Sequence, residues 1–381
     1  MDKLSLVVVT ETFPPEINGV AMTWGRLIHQ LHDQGVRLLL VRPALPGNRH
    51  LEFPLPNIES VLVKSIPLPK YPDLRAGLPC GRLLRKTLAD FKPDLVHVVT
   101  EGLLGWSALR AAKKLSLPVT SSFHTNFHAY GKHYGLGFLR KVGLCYLRTF
   151  HNRTLKTFPP TQEMCDSLAK EGFQNLGILG RGVDTELFHP NKRSLSLREK
   201  WNAPDNIPVC LYVGRMAAEK NLSLAVKAFR HFQKSHPPAK MVFVGDGPAR
   251  AKIQKNNPDC FFAGMQKGET LAEHYASGDI LLAPSITETF GNIVTEGMAS
   301  GLAVVTFDYA AGRQHIQSGQ NGFLAAYDNN DEYLQCLEKL PPLEELGALR
   351  KNARQTAENL SWQNIAEKFQ KDLHVVIQNR S

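Results

Sequence analysis

Short apolar runs of strand length alternate with helical stretches along this chain, and the alternation runs through twice. Residues 4–9 form the first run. A loop holding Pro14, Pro15, Asn18 and Gly19 follows, then a helical stretch over about 20–34 that Gly35 stops, then a second run at 36–41. Further on, 95–99 reads as a strand, 103–115 as a helix and 119–123 as a strand. Strands fed by helices call for parallel pairing with right-handed crossovers. The pattern restarts with a strand at Val209–Val213, a helix at Leu222–Ser235, a strand at 241–244 and a helix at 250–255. Later strands follow at 261–263, Ile280–Ala283 and 304–307. The expected fold is therefore α/β, two successive doubly wound parallel-sheet domains, and 381 residues suits two such cores. Pro190, Pro204 and Pro208 punctuate a polar stretch, which sets the expected boundary between 185 and 206 and the domains at 1–185 and 186–360. Trp362, Ile365 and Phe369 lie at helical spacing in a last helix within 361–381.

The longest apolar runs are far shorter than the roughly 20 residues that a membrane helix needs. The first residues lead straight into a strand with no small-residue cleavage site, so no signal or transit peptide is read and a cytoplasmic location is expected. Six cysteines (Cys80, Cys145, Cys165, Cys210, Cys260, Cys336) stand far apart without a CxxC pair, and the histidines form no HExxH pattern. That spacing argues against a metal site or a disulfide framework and for a reducing compartment. The net charge of +10 is uneven: residues 1–185 carry 23 Lys and Arg against 14 Asp and Glu, and residues 186–381 carry 22 against 21. A basic first half attracts an anionic lipid surface, an anionic substrate or nucleic acid, and charge alone does not choose among them.

Three segments of the second half point to one kind of ligand. The strand Val209–Val213 runs into Gly214-Arg215-Met216-Ala217-Ala218-Glu219-Lys220, and a loop at a strand's carboxyl end is where doubly wound sheets bind ligands. Arg215 offers a planar fork and Lys220 a compact ammonium, which suit the oxygens of a diphosphate, although two such cations can equally be solvated. After Ile280–Ala283 comes Pro284-Ser285-Ile286-Thr287-Glu288-Thr289-Phe290-Gly291-Asn292, then Glu296 more than a turn inside the following helix. The backbone N–H groups of Phe290, Gly291 and Asn292 at that helix start can donate to sugar hydroxyls or phosphate oxygens. Glu288 can accept from sugar hydroxyls and Glu296 from a ribose diol. The third segment is the turn Gly245-Asp246-Gly247-Pro248, where Gly245 permits close approach of backbone to a ligand.

The order GR…K, VGDGP, a short strand ending in Gly264-Met265, and PSxxExFGxxxxE…MAxG resembles the donor domain of the family-4 retaining glycosyltransferases. In the first half, Thr10–Pro15 with Asn18-Gly19-Val20 resembles that family's acceptor-domain opening, whose glycine loop approaches the donor diphosphate. Tyr71-Pro72 and Ser121–Asn126 with Tyr130 resemble the branch of bacterial mannosyl- and sulfoquinovosyl-transferases acting on lipid acceptors. Arg181-Gly182-Val183-Asp184 is similar to the family's hinge, and Trp362 to its last helix, which crosses back to the first domain. Asn18 stands where a second glycine is frequent and Gly297 where alanine is usual. The likeness implies two Rossmann-like domains of the GT-B type, a nucleotide-sugar donor (GDP-mannose first, a UDP-sugar second), and a lipid-linked or glycan acceptor. It also implies retention at the anomeric carbon, with His124 facing the donor sugar and backbone around Gly264 and Met265 recognising the base.

No cofactor is expected and no metal, since Arg215, Lys220 and a helix N-terminus can stabilise the leaving diphosphate and no DxD motif is present. Glu288 is read as binding the transferring sugar at the reacting centre, not as a general base, with a nucleophilic role as the less favoured alternative. A dinucleotide oxidoreductase would need a GxGxxG loop that neither domain has. A nucleotide-sugar epimerase of the same fold would share the diphosphate contacts without needing an acceptor. Nucleic acid as a partner has no aromatic-basic interleaving to support it. Arg140, Lys141 and Arg148 flank an apolar stretch (Phe138, Leu139, Val142, Leu144, Tyr146, Leu147), a mixture that suits peripheral contact with an anionic inner membrane face or an ordinary packed helix.

Overall fold

The computed structural model describes residues 3–16, 18–47, 58–68, 71–124, 137–288 and 290–379, with backbone alone at 68, 71–74 and 137–140. The chain divides into two compact units, Met1–Gly182 with Trp362–Ser381, and Val183–Ser361.

In the first unit β1 (Ser5–Val9), β2 (Arg37–Pro43), β3 (Glu59–Val63), β6 (Leu95–Val98), β7 (Val119–Ser122) and β8 (Lys156–Phe158) form one parallel sheet in the order 3-2-1-6-7-8. β4 (Ser65–Leu68) and β5 (Tyr71–Gly77) pair as a separate antiparallel hairpin. Every residue of β1 is buried, as a strand covered on both faces must be. Leu6 and Val8 pack with Trp24, Leu27, Phe158 and Phe369 on one face, and Val7 and Val9 with Leu104, Ala108 and Phe150 on the other. The helix Gly19–Asp33 starts where the Asn18 side chain accepts from the amides of Val20 and Ala21, and it buries Trp24, Leu27, Ile28 and Leu31. The last helix, Trp362–Gln378, packs on it through Ile365, Ala366, Phe369 and Leu373 and so belongs to the first unit, as expected.

The second unit repeats the plan. β9 (Val209–Val213), β10 (Lys240–Val244), β11 (Phe261–Gly264), β12 (Ile280–Ala283), β13 (Ala303–Phe307) and β14 (Phe323–Ala325) pair in parallel in the order 11-10-9-12-13-14. The two doubly wound α/β domains read from the sequence are therefore present. In each sheet the strand order reverses once, between β1 and β6 and between β9 and β12. Loops at the carboxyl ends of strands flanking such a reversal are splayed apart, which opens a crevice there. Asp279, immediately before β12, is buried and binds the buried Arg198 at 3.0 Å and the β9 amide of Val209 at 2.9 Å. Among the described residues no helix is long and apolar enough to cross a membrane.

Candidate functional site

The two loops read as ligand-binding in the second half follow β9 and β12, the neighbours at its point of reversal. They border a pocket of about 210 Å³ whose lining includes Tyr212, Gly214, Arg215, Lys220, Ser285 and Glu288. Lys220 ends a single 3-10 turn, Ala218–Lys220, and its ammonium lies 2.6 Å from the Glu288 carboxylate, each side chain about one-fifth exposed. The two loops are tied again by Thr287 Oγ1 donating to the Glu219 carbonyl at 3.1 Å. Arg215 is 66 % exposed, and its ion-pair partner among the described residues is Glu219 at 3.6 Å. One wall thus offers two cations and the other a carboxylate, a pairing that fits a ligand with phosphate at one end and hydroxyls at the other.

The helix Asn292–Ala299 begins at Gly291, whose φ of +93° is a left-handed value that disfavours any side chain. Asn292 is exposed at the first turn, whereas the Phe290 ring is buried in the core with Val294 and Met298. Only the backbone of Phe290 is therefore left to meet a ligand. Glu296 is half-buried on this helix and accepts from the Tyr275 hydroxyl at 2.9 Å. At the neighbouring Gly297 a Cβ would lie 2.5 Å from Leu281 Cδ2, so the glycine gives Leu281 room.

In the turn after β10 glycine also serves the packing of one loop on another. A Cβ on Gly245 would lie 2.0 Å from the Gly214 carbonyl oxygen, so Gly245 lets this turn seat against the loop that carries Arg215. Met216 N–H donates to the Asp246 carbonyl at 2.8 Å, which fixes that seating. Gly264 ends β11 with φ +71° and accepts from the Gly245 amide at 2.8 Å, and Met265 beside it is 58 % exposed.

In the first unit, Asn18 adopts extended backbone at φ −145°, which needs no glycine, and its side chain caps the helix while donating to Thr12 Oγ1 at 2.6 Å. Gly19 packs under the guanidinium of Arg181, where a Cβ would come within 3.2 Å. His124 follows β7; its Nε2 faces the indole N–H of Trp24 at 3.3 Å. Burial, with the Arg181 charge and His151 acting in the same sense, lowers His124 to about 3, so the ring is neutral at physiological pH. Beneath it His97 is lowered well below its ordinary value by burial and His151 is lowered to about 3. Thr125, Asn126, Tyr130 and Thr289 lie outside the described residues, as do the side chains of Tyr71, Pro72, Phe138, Leu139 and Arg140.

Sequence reasoning missed Tyr275 and Trp24. Each sits on the buried face of a helix, where a tyrosine or tryptophan reads as core, and only tertiary packing brings its polar atom to Glu296 or His124.

A model described as Glycosyltransferase Family 4 matches residues 17–187, and one described as Glycosyl transferases group 1 matches residues 207–341. A GDP-mannose-dependent alpha-mannosyltransferase of Mycobacterium tuberculosis is 32% identical over 320 residues, covering 84% of this chain and 83% of that protein. A sulfoquinovosyl transferase of Arabidopsis thaliana is 31% identical over 323 residues, covering 81% of this chain and 62% of that one. A solved glycosyltransferase from Rickettsia africae shares the fold, with a TM-score of 0.76 at 17% identity and 100% of both chains covered.

Proposed function

The chain belongs to the family-4 glycosyltransferases of GT-B fold, and from that premise we propose that it moves mannose from GDP-mannose to a lipid-linked or glycan acceptor. The observation that carries the reading is the pocket at the second sheet's reversal, with Arg215 and Lys220 on one side and Glu288 on the other. In this reading the two cations meet the donor diphosphate, Glu288 the transferring sugar and Glu296 the ribose diol. Backbone around Gly264 and Met265 meets the base. As the bond to the leaving diphosphate breaks, negative charge grows on its oxygens. Arg215, Lys220 and the N-terminal amides of the helix Asn292–Ala299 are fixed positive groups that favour this state over the ground state.

That electrostatic arrangement supports turnover without a metal, and full activity after exhaustive chelation is the expected result; loss of activity restored by Mg²⁺ or Mn²⁺ would contradict it. Retention at the anomeric carbon is proposed from the family likeness of residues 284–301, and the anomer of the first-formed product, read by NMR, tests it. The donor is tested by a panel of nucleotide sugars. GDP-mannose is expected to give the highest transfer rate, with GDP inhibiting more tightly than UDP. The similarity to a sulfoquinovosyl transferase favours a second reading, sulfoquinovosyl transfer, for which the family likeness offers a UDP-sugar as donor; a reversed preference would establish it.

A further inference from the structure

We infer that Trp24 is a positioning residue for His124, holding its imidazole in the tautomer that carries the proton on Nδ1; the inference rests on the reading of His124 as a substrate-contacting group. Trp24 is completely buried in the helix Gly19–Asp33. Its ring stacks on His97 with centroids 4.7 Å apart and meets Phe369 edge-on at 5.9 Å. His97 is itself immobilised, with Nδ1 2.8 Å from Thr120 Oγ1 and Nε2 2.9 Å from Ser122 Oγ. The indole therefore has one orientation, and in it Nε1 lies 3.3 Å from His124 Nε2.

An indole N–H donates and cannot accept. The imidazole nitrogen that faces it must be the unprotonated one, and burial keeps the ring from taking a second proton. The one ring proton is then on Nδ1, a buried atom with no partner among the described residues. A buried N–H without a partner is destabilising, a cost that a substrate oxygen accepting from it would remove. His124 in this state gives a hydrogen bond to substrate through Nδ1 and cannot serve as a base there. Trp24 acts through it without touching substrate.

The test is imidazole ¹⁵N NMR on the ¹⁵N-histidine-labelled full chain at neutral pH, with the His124 signals assigned from a His124→Gln spectrum. The wild type is expected to show a pyrrole-type Nδ1 and a pyridine-type Nε2. Replacing Trp24 with β-(3-benzothienyl)alanine keeps the ring shape and removes the N–H. The Nε2-protonated tautomer should then appear, and kcat should fall about three- to tenfold with donor KM little changed, as loss of one aligned hydrogen bond predicts. Trp24→Phe, with its melting temperature measured alongside, is the second variant. An Nε2–H tautomer in the wild type overturns the inference, and so does an isostere that leaves both tautomer and kcat unchanged. Wild-type turnover in His124→Ala overturns the role of His124 itself, and Trp24's with it, whichever tautomer is observed.

Discussion

At the scale of single residues, the pocket in the second unit holds an ion pair that a donor bound as proposed would rearrange. Lys220 and Glu288 meet at 2.6 Å in a half-buried setting, so the ammonium that would take a phosphate oxygen already has a carboxylate partner. Exchange of one anion for another costs little net charge desolvation, which suits a site that binds and releases a diphosphate. Lys220→Ala and Arg215→Ala are each expected to lower kcat/KM by about ten- to a hundredfold, the value of one charge-assisted contact, with melting temperatures near wild type. Wild-type kinetics in both variants at subsaturating donor would remove the phosphate contact. Glu296 shares its carboxylate with the Tyr275 hydroxyl. Glu296→Ala should raise donor KM with kcat nearly kept, whereas Glu288→Ala should act mainly on kcat. Equal inhibition of wild type and Glu296→Ala by free nucleoside diphosphate would show that Glu296 does not touch the ribose. The loops 214–221 and 284–296 were legible in the sequence because each packs its cation or carboxylate beside strand-end glycine or proline within a dozen residues. The contacts made by Tyr275 and Trp24 were not, since each joins residues at least 21 positions apart.

At the scale of elements, the hydrophobic runs identified the central strands, whose burial on both faces leaves the same signal in every residue. The edge strand β3 gave none, because Glu59 and Ser60 are exposed and Val61 and Leu62 only half-buried. The polar stretch with Pro190, Pro204 and Pro208 is fastened to the second unit by buried charge. Asp279 binds Arg198 at 3.0 Å, Arg193 at 3.2 Å and Arg350 at 3.5 Å, and accepts from the Val209 amide. Arg193 and Arg198 from one segment and Arg350 from another share the carboxylate of Asp279, which lies at least 71 positions from each, a pattern that no local window displays. Asp279→Ala should destabilise the second unit by about 3–5 kcal/mol, because it removes the buried acidic partner of Arg198 and leaves it the exposed Asp205 at 3.4 Å; an unchanged unfolding midpoint would show that the arginines reach solvent instead. The first unit has a different sensitivity. His97, His124 and His151 all have folded pKa values pushed below the ordinary 6.5 by burial, the last two to about 3. The unfolded chain therefore binds more protons below pH 6.5, and stability should fall as pH drops from about 6.5 toward 3. Glu11 works in the opposite sense between 4.5 and about 7, since burial raises it to about 7 in the folded state. His151→Phe should flatten the acid limb by up to about 1.4 kcal/mol per pH unit, the share of one proton, as read from denaturant midpoints across that range.

At the scale of the whole molecule, charge is the property that separates the two halves, and their folds are alike. The net charge is +10, and its surplus lies almost entirely in residues 1–185. In the first unit the helix Gly137–His151 buries Leu147 and Phe150 and leaves Lys141, Val142, Cys145 and Tyr146 exposed. Val142 at 49% and Tyr146 at 42% exposure put apolar surface beside a cation, the mixture that an interfacial contact with anionic lipid uses. Two of the expected groups are partly committed elsewhere, Arg148 to the Glu171 carbonyl and the Tyr146 hydroxyl to the Glu101 carbonyl. Among the described side chains of this helix, Lys141 is the cation with no hydrogen bond or ion pair to another residue, so reversing it should matter more than reversing Arg148. If this helix docks on lipid, binding of the protein to vesicles should rise with their anionic fraction and weaken with salt, because surface charges are screened within about 8–10 Å at ordinary ionic strength. Lys141→Glu should lower that binding severalfold, at about 1 kcal/mol per basic residue near the surface, while donor hydrolysis stays at the wild-type rate, since the helix is not part of the second unit's pocket. Cosedimentation with neutral and anionic vesicles reads the effect directly. Equal, negligible binding to both would leave the glycosyltransferase standing and direct the search for its acceptor to soluble glycans.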